Sequence, residues 1–247
     1  VYDIVRNRVV LAYMAFLFVV SFGFFGLEAE VNKGLLSLLN VVLIIVPLVS
    51  VIFATIHFYN SHEFIELLLA QPLSRRHIFL SEYAGVSLAL GYAFLMGVGL
   101  PVFWFCPLDK ALVFTLSGLL LTFTFTSVAF VAAVATRDKA KGIGIALLAW
   151  FYFALLYDGL VLLLLFALRD YPTENLALAL MALNPVDLCR VLLIMQLDVS
   201  ALMGYTGAVF QTFFDRHAGL GVAGLVLLIW VAAPLAIASK LFKTKDL

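Results

Sequence analysis

Residues 60–80 read NSHEFIELLLAQPLSRRHIFL, a stretch that separates two apolar runs of membrane-spanning length. Its polar start and its Ser74-Arg75-Arg76-His77 cluster make it too polar to cross a bilayer. A short helix at the membrane face is predicted instead. Asn60 has the side chain of an N-cap, and Glu63 stands where a carboxylate reaches back to the cap N–H. Pro72 disfavours helix at Gln71 and sets the end. Phe64, Ile65, Leu67, Leu68 and Leu69 are more apolar residues than one narrow stripe needs, so one side can sit on the membrane bundle while another receives a partner. Arg75 and Arg76 then lie where anionic lipid head groups or acidic protein residues could hold them. An interfacial helix with snorkelling arginines and no partner is the alternative.

Of the 247 residues, 65% are hydrophobic and 12% charged. The mean hydropathy is +1.14. Soluble domains average roughly 45–50% apolar and about 25% charged, so this is an integral membrane protein. Equal numbers of acids and bases give a net charge of zero, and nothing points to nucleic acid. Six stretches are long enough for a bilayer core of about 30 Å, which takes roughly 20 apolar residues. They lie at 9–27, 35–57, 79–100, 111–135, 143–168 and 218–239. The expected fold is all-α: one transmembrane domain over 1–247, with a cytoplasmic helical segment at 60–78 and an outer helical loop at 169–217. Because the sequence starts on Val1, residues are expected to precede it, and no cleavable signal peptide is read.

Lys and Arg counts set the orientation. With the N-terminus inside, the inner segments hold Arg6, Arg8, Arg75, Arg76, Arg137, Lys139, Lys141, Lys240, Lys243 and Lys245, and the outer ones Lys33, Lys110, Arg169, Arg190 and Arg216. Ten against five places both termini in the cytoplasm. Cys106 and Cys189 then lie outside, where a disulfide is open to them but two unpaired thiols are the simpler expectation.

The 169–217 loop is too long for a bare connector. Thr173–Leu183, Val186–Leu197 and Ser200–Phe214 are candidate short helices, with Pro185 as breaker and Asn184 as cap. They are expected on the bundle rim, as a lid or as a partner platform with contacts at Asn184, Asp187, Tyr205, Phe210, Phe213 and Phe214. Cys189, Met195, Met203 and His217 have no metal-ligand spacing, so no metal site is assigned. Asp158 is the acid well inside a span, and such a group faces the bundle interior or a cavity. A Tyr, Thr or Ser on a neighbouring helix is its expected partner. Thr115, Ser117, Thr122, Thr124, Thr126 and Ser127 are expected to bond between helices. Gly219, Gly221, Gly224, Ala232 and Ala236 should allow close helix approach. No phosphate-binding G-x-x-x-x-G-K-[ST] loop is present, so no catalytic residue and no cofactor is assigned to this chain.

The words LLLAQPLSRRHIFLSEYAG, residues 67–85, resemble the type-2 ABC permease superfamily, in which this segment is the helix that contacts the ATPase. The resemblance implies coupling roles for Asn60, Glu63, Phe64, Glu66, Leu67, Pro72, Arg75 and Arg76. Members often start the segment Glu-x-Gly-Thr, where this chain has Asn60-Ser61-His62-Glu63. LNPVDLCRVLLIMQLDVSALMGYTGAVFQTFF, residues 183–214, together with Tyr157-Asp158-Gly159, looks like the permeases of the ABC complex that matures nitrous oxide reductase. That branch implies a homodimer in the bacterial inner membrane, two cytoplasmic ATPase subunits holding ATP and Mg, a periplasmic β-helical protein, membrane lipids around the bundle, and copper as the metal served. An exporter of lipid or drug, a scaffold without ATPase and an intramembrane enzyme are the rival readings.

Overall fold

The computed structural model describes residues 2–28, 30–168, 174–196 and 216–244. After a single turn, α1 (Tyr2–Val5), Asn7 opens the first long helix by accepting the Val9 N–H at 2.9 Å, and α2 runs Arg8–Leu27. Then follow α3 (Val31–Asn60), the short α4 (His62–Leu69), α5 (Arg75–Phe105), α6 (Leu108–Ala135) and α7 (Lys139–Ala167). Beyond them lie α8 (Glu174–Ala182), α9 (Pro185–Gln196) and α10 (Arg216–Thr244). No strand occurs among the described residues.

The six long helices are the six expected spans, each long and apolar enough to cross a membrane. Most outrun their apolar cores: the expected 35–57 is observed at Val31–Asn60 and the expected 79–100 at Arg75–Phe105. Hydropathy marks the part in hydrocarbon, whereas the helix continues until a cap or a proline ends it. Two spans contain a π turn, Leu95–Gly99 in α5 and Tyr152–Leu156 in α7. Single wide turns of this kind recur at functional sites.

α6 is the axis of the bundle, packed by α3, α5, α7, α9 and α10. Its Leu121, Phe125, Ala129 and Phe130 are completely buried. Phe130 receives Phe58, Phe79 and Tyr83 with ring centroids 5.4, 5.6 and 5.6 Å away, all steeply tilted. Tilted contacts set the positive edge of one ring on the negative face of another, each worth about 0.5–1.5 kcal/mol beyond area burial. Where helices come closest, a glycine makes the room. The Phe94 ring lies where a Cβ of Gly118 would be, and the Tyr59 hydroxyl lies where a Cβ of Gly142 would be. Two of the five small residues expected to do this work do not: Gly221 and Gly224 of α10 have nothing near their Cβ positions.

The hydroxyls of α6 also depart from expectation. Thr122 donates to Gly118 O and Thr126 to Thr122 O, each at 2.8 Å, within their own helix. Among the described residues, Ser127 alone of the six makes a bond to another helix, donating to the Tyr83 hydroxyl at 3.0 Å. A Thr or Ser in a helix can always reach the carbonyl one turn back, and inside an apolar bundle that bond is the nearest one available.

Beyond α7, α8 and α9 form a hairpin bent by 109°. α9 is no rim element. Val186, Leu188, Cys189, Val191, Leu192, Leu193 and Ile194 are all buried, packed on α6 and α10. Seven apolar side chains in one helix cannot all be shielded on a surface, so it enters the bundle as a broken span would. The third expected helix, 200–214, lies outside the described residues.

Candidate functional site

α3 ends at Asn60, and Ser61 joins it to α4 while still in helical conformation, its N–H on His57 O at 2.9 Å. The expected cap at Asn60 is therefore not made. Asn60 Oδ1 instead accepts from Lys139 Nζ at 2.8 Å, and α4 starts at His62 with no side-chain cap. A helix that follows another after one residue has few orphan N–H groups to satisfy, so the cap residue was free to bond elsewhere. The end falls as Pro72 demands, with Ala70 closing the last turn on Glu66 O at 3.2 Å.

The base of α4 is pinned on two sides. Tyr59 Oη lies 2.6 Å from Thr136 Oγ1, beside the turn between α6 and α7, and Lys139 of α7 holds Asn60. Across from these, His57 Nε2 meets Glu82 Oε1 of α5 at 3.0 Å. The turn itself is firm: Asp138 caps α7 by accepting the N–H groups of Ala140 and Lys141 at 2.8 and 3.1 Å. The Lys141 and Ala140 N–H bonds hold its carboxyl below the usual aspartate range.

Ile65, 3% exposed, anchors α4 on the bundle, with Leu68 and Leu69 half-buried beside it. Phe64 and Leu67 point away, 59% and 67% exposed. Glu63 and Glu66 are exposed on the same helix, Glu66 within 3.1 Å of His62 Nδ1. Ser74 caps α5, accepting the His77 N–H at 3.3 Å, so Arg75 and Arg76 form the exposed first turn of that span. Pro72 and Leu73 are exposed between them. The structure thus gathers all eight expected coupling residues on one end of the bundle, but Asn60 faces α7.

At the opposite end Asp158 has a partner, and it is neither Tyr, Thr nor Ser. Arg190 Nη1 of α9 donates to Asp158 Oδ2 at 2.6 Å and to Asp187 Oδ1 at 2.8 Å. Asp158 Oδ1 is buried without a hydrogen bond. Three more bonds seat the hairpin. Asn184 caps α9 through the Val186 N–H at 3.0 Å and donates to Phe153 O, inside the π turn of α7, at 3.0 Å. Tyr157 donates to Leu180 O at 2.6 Å, and the Trp230 indole of α10 to Ala182 O at 3.0 Å. The indole bond serves a carbonyl at the end of α8, whereas Leu180 O also accepts the Leu183 N–H at 3.0 Å. Asn184 and Asp187 are consequently buried and turned to internal partners, which removes them from the expected outer contact surface. Tyr205, Phe210, Phe213 and Phe214 lie outside the described residues.

No group of three or more His, Cys, Asp or Glu side chains converges as a metal site among the described residues. Cys106 and Cys189 are free thiols, the latter buried. Sequence reasoning missed His57, Glu82, Lys139 and Arg190. Arg190 alone carried a signal, as a lone cation in the apolar run VDLCRVLLIM.

Six spans, one of them the central α6, with a short amphipathic helix between the second and third, define a multi-pass membrane protein. Residues 61–247, from the turn into α4 to the end of the sequence, match the family model described as ABC-2 family transporter protein, and the chain belongs to that family. It is similar to the probable ABC transporter permease protein NosY of Pseudomonas aeruginosa, 29% identical over 266 residues, covering 99% of this chain and 95% of the relative. The protein of the same description from Stutzerimonas stutzeri is 27% identical over 264 residues, covering 98% and 95%. ABC permeases are the membrane components of transporters and not their catalytic chains; the family implies an ATPase partner and usually a dimeric permease.

Proposed function

We propose that this chain, as a homodimer in the bacterial inner membrane with both termini cytoplasmic, docks two ATPase subunits through α4 and converts their ATP-driven closure into movement at the periplasmic face. The system served is the copper-site maturation of nitrous oxide reductase, with a periplasmic β-helical protein as outer partner. The observation that carries the coupling role is α4 itself: a helix anchored by Ile65 and pinned at its base, yet presenting Phe64 and Leu67 with acids beside them. Large apolar side chains rimmed by charge are the mark of a protein contact. The orientation gains support from Arg190: paired internally, it drops out of the outer count and leaves four outer cations against ten inner ones.

Because the end of α3 that carries α4 is held to α5 by His57 and to α7 by Asn60, a displacement of α4 would pass to both spans together. α7 holds the hairpin through Asp158, Tyr157 and Phe153, so the shift reaches the far side without a polar channel. Phe64→Ser with Leu67→Ser, and separately Glu63→Ala with Glu66→Ala, test this in the assembled complex. Both pairs are expected to impair ATPase co-purification or turnover; unchanged assembly and turnover in both would refute the docking role. The relatives' printed name supports the nitrous oxide reductase system, and a reductase that matures without this chain would remove it.

The second reading, an exporter of a lipid, drug or other small apolar substrate, is favoured by one observation. A lateral cavity of about 740 Å³ opens beside Leu88, Gly91, Tyr92, Leu95, Leu119 and Phe123. Leu119→Trp would fill it. An exporter would then lose substrate-stimulated ATPase activity, whereas the maturation role would leave copper loading of the reductase unchanged.

A further inference from the structure

At the α4 end of the bundle, α5 and α10 diverge around a cavity of about 370 Å³ lined by Arg76, Leu80, Ala232, Leu235, Ala236, Ser239, Lys240 and Lys243. Its floor and its mouth differ in chemistry. Ala232, Leu235, Ala236 and Ser239 recur at helical spacing on α10 and, with Leu80 of α5, make an apolar floor of mostly small side chains. Arg76, Lys240 and Lys243 stand together at the mouth, all exposed, and no ion pair holds any of them among the described residues. No acid lines the cavity.

The dimensions fit a membrane leaflet. From Ala232 to Lys243, a helical rise of 1.5 Å per residue gives roughly 16 Å, about half of a 30 Å hydrocarbon core. Arg76 lies in the first turn of α5, where the positive end of the helix dipole adds to its charge. A groove one leaflet deep, apolar below and tricationic at the interface, has the shape and charge of an acyl chain with a phosphate above it.

We propose that this groove is a binding site for one anionic glycerophospholipid of the cytoplasmic leaflet, its phosphate held by Arg76, Lys240 and Lys243 and an acyl chain lying on Ala232 and Ala236. It rests on the orientation given above and not on ATPase docking. A lipid wedged between α5 and α10 ties the span that leaves α4 to the last span.

The experiment is native mass spectrometry of the full-length permease extracted from vesicles of equal phosphatidylglycerol and phosphatidylcholine. Wild type is expected to retain phosphatidylglycerol in roughly tenfold preference, since three interfacial cations favour an anionic head group over a zwitterionic one. Arg76→Gln with Lys240→Gln and Lys243→Gln should abolish the preference. Ala236→Leu, which fills the floor and leaves every charge, should lower retention of both lipids. Glycerol phosphate at the same concentration should not displace the lipid; displacement would show a free phosphate-ester site and overturn the lipid assignment. Equal retention of the two lipids by wild type, or an undiminished preference in the triple variant, would also overturn it. So would loss of the ATPase from the triple variant with lipid retention intact, which would give these cations to a protein partner. Loss of docking in the α4 variants with the preference preserved would sink the coupling role and leave this site standing.

Discussion

Arg190→Leu tests the charge cluster that ties α9 to α7. One nitrogen, Nη1, bonds carboxylates on two elements, Asp158 of α7 and Asp187 of α9. Removing it strands two acids in an apolar setting. Breaking a buried pair by removing one partner costs about 3–5 kcal/mol, but the side chains of Arg190 and Asp158 are 30% and 35% exposed, so that half of the cluster is partly screened. Asp187, at 10%, has no such relief. The expected loss is therefore near the lower bound, about 3 kcal/mol. By the scaling for domains of this size, that is roughly 6–12 °C in Tm. The assay is thermal unfolding of the detergent-solubilised chain, followed by the monodisperse fraction on size exclusion. Rescue distinguishes the charge argument from simple loss of packing: Asp187→Asn should recover more of the Tm than Asp158→Asn in the Arg190→Leu background. An Arg190→Leu Tm within about 1 °C of wild type, or equal rescue by both, would refute the reasoning.

Gly142→Ala should destabilise by about 1–3 kcal/mol as an overpacking change, because its Cβ would occupy the place of the Tyr59 hydroxyl and push it from Thr136; the readout is Tm, with Tyr59→Phe in the same chain restoring part of it. Asp138 gives a pH prediction. Its folded value is depressed, so its stabilisation is present above the ordinary aspartate value and lost as pH falls through the depressed one. Asp138→Ala should therefore lower the Tm at neutral pH and converge with wild type in acid, while Asp138→Asn, still a cap, should show no such convergence. Gly118→Leu should abolish folding, since the Phe94 ring already fills the space above it; normal yield of a monodisperse protein would contradict that packing.

The spans were legible because an apolar run of membrane length has few other fates, and α4 because Pro72 and the Ser74–His77 cluster forbid a continuous helix. What was not legible depended on partners distant in the chain. Asn60 reads as a cap from its neighbours, but its oxygen is taken by Lys139, 79 positions on. Asp158 announced a need for a partner, yet Arg190 sits 32 positions away in a segment that reads as an outer loop. The same confusion put α9 on the rim: two short apolar helices look like surface pieces until a 109° bend between them turns α9 onto α6 and α10. The Thr and Ser residues of α6 misled for a local reason, since composition cannot distinguish a hydroxyl facing a neighbour from one bonded to its own backbone. Gly221 and Gly224 looked like contact glycines, whereas Gly118 and Gly142, less conspicuous in the sequence, are the ones whose missing Cβ a neighbour occupies.

The coupling role of α4 is tested most directly by placing a photo-crosslinking benzoylphenylalanine at Leu67 in the assembled complex in membranes, with Leu163 as a control. Leu67 and Leu163 are equally open, 67% and 68% exposed, but Leu163 lies on the apolar α7. The predicted result is an adduct of this chain with the ATPase subunit from Leu67 and none from Leu163. A complex that hydrolyses ATP normally yet gives no ATPase adduct from Leu67 would contradict the account.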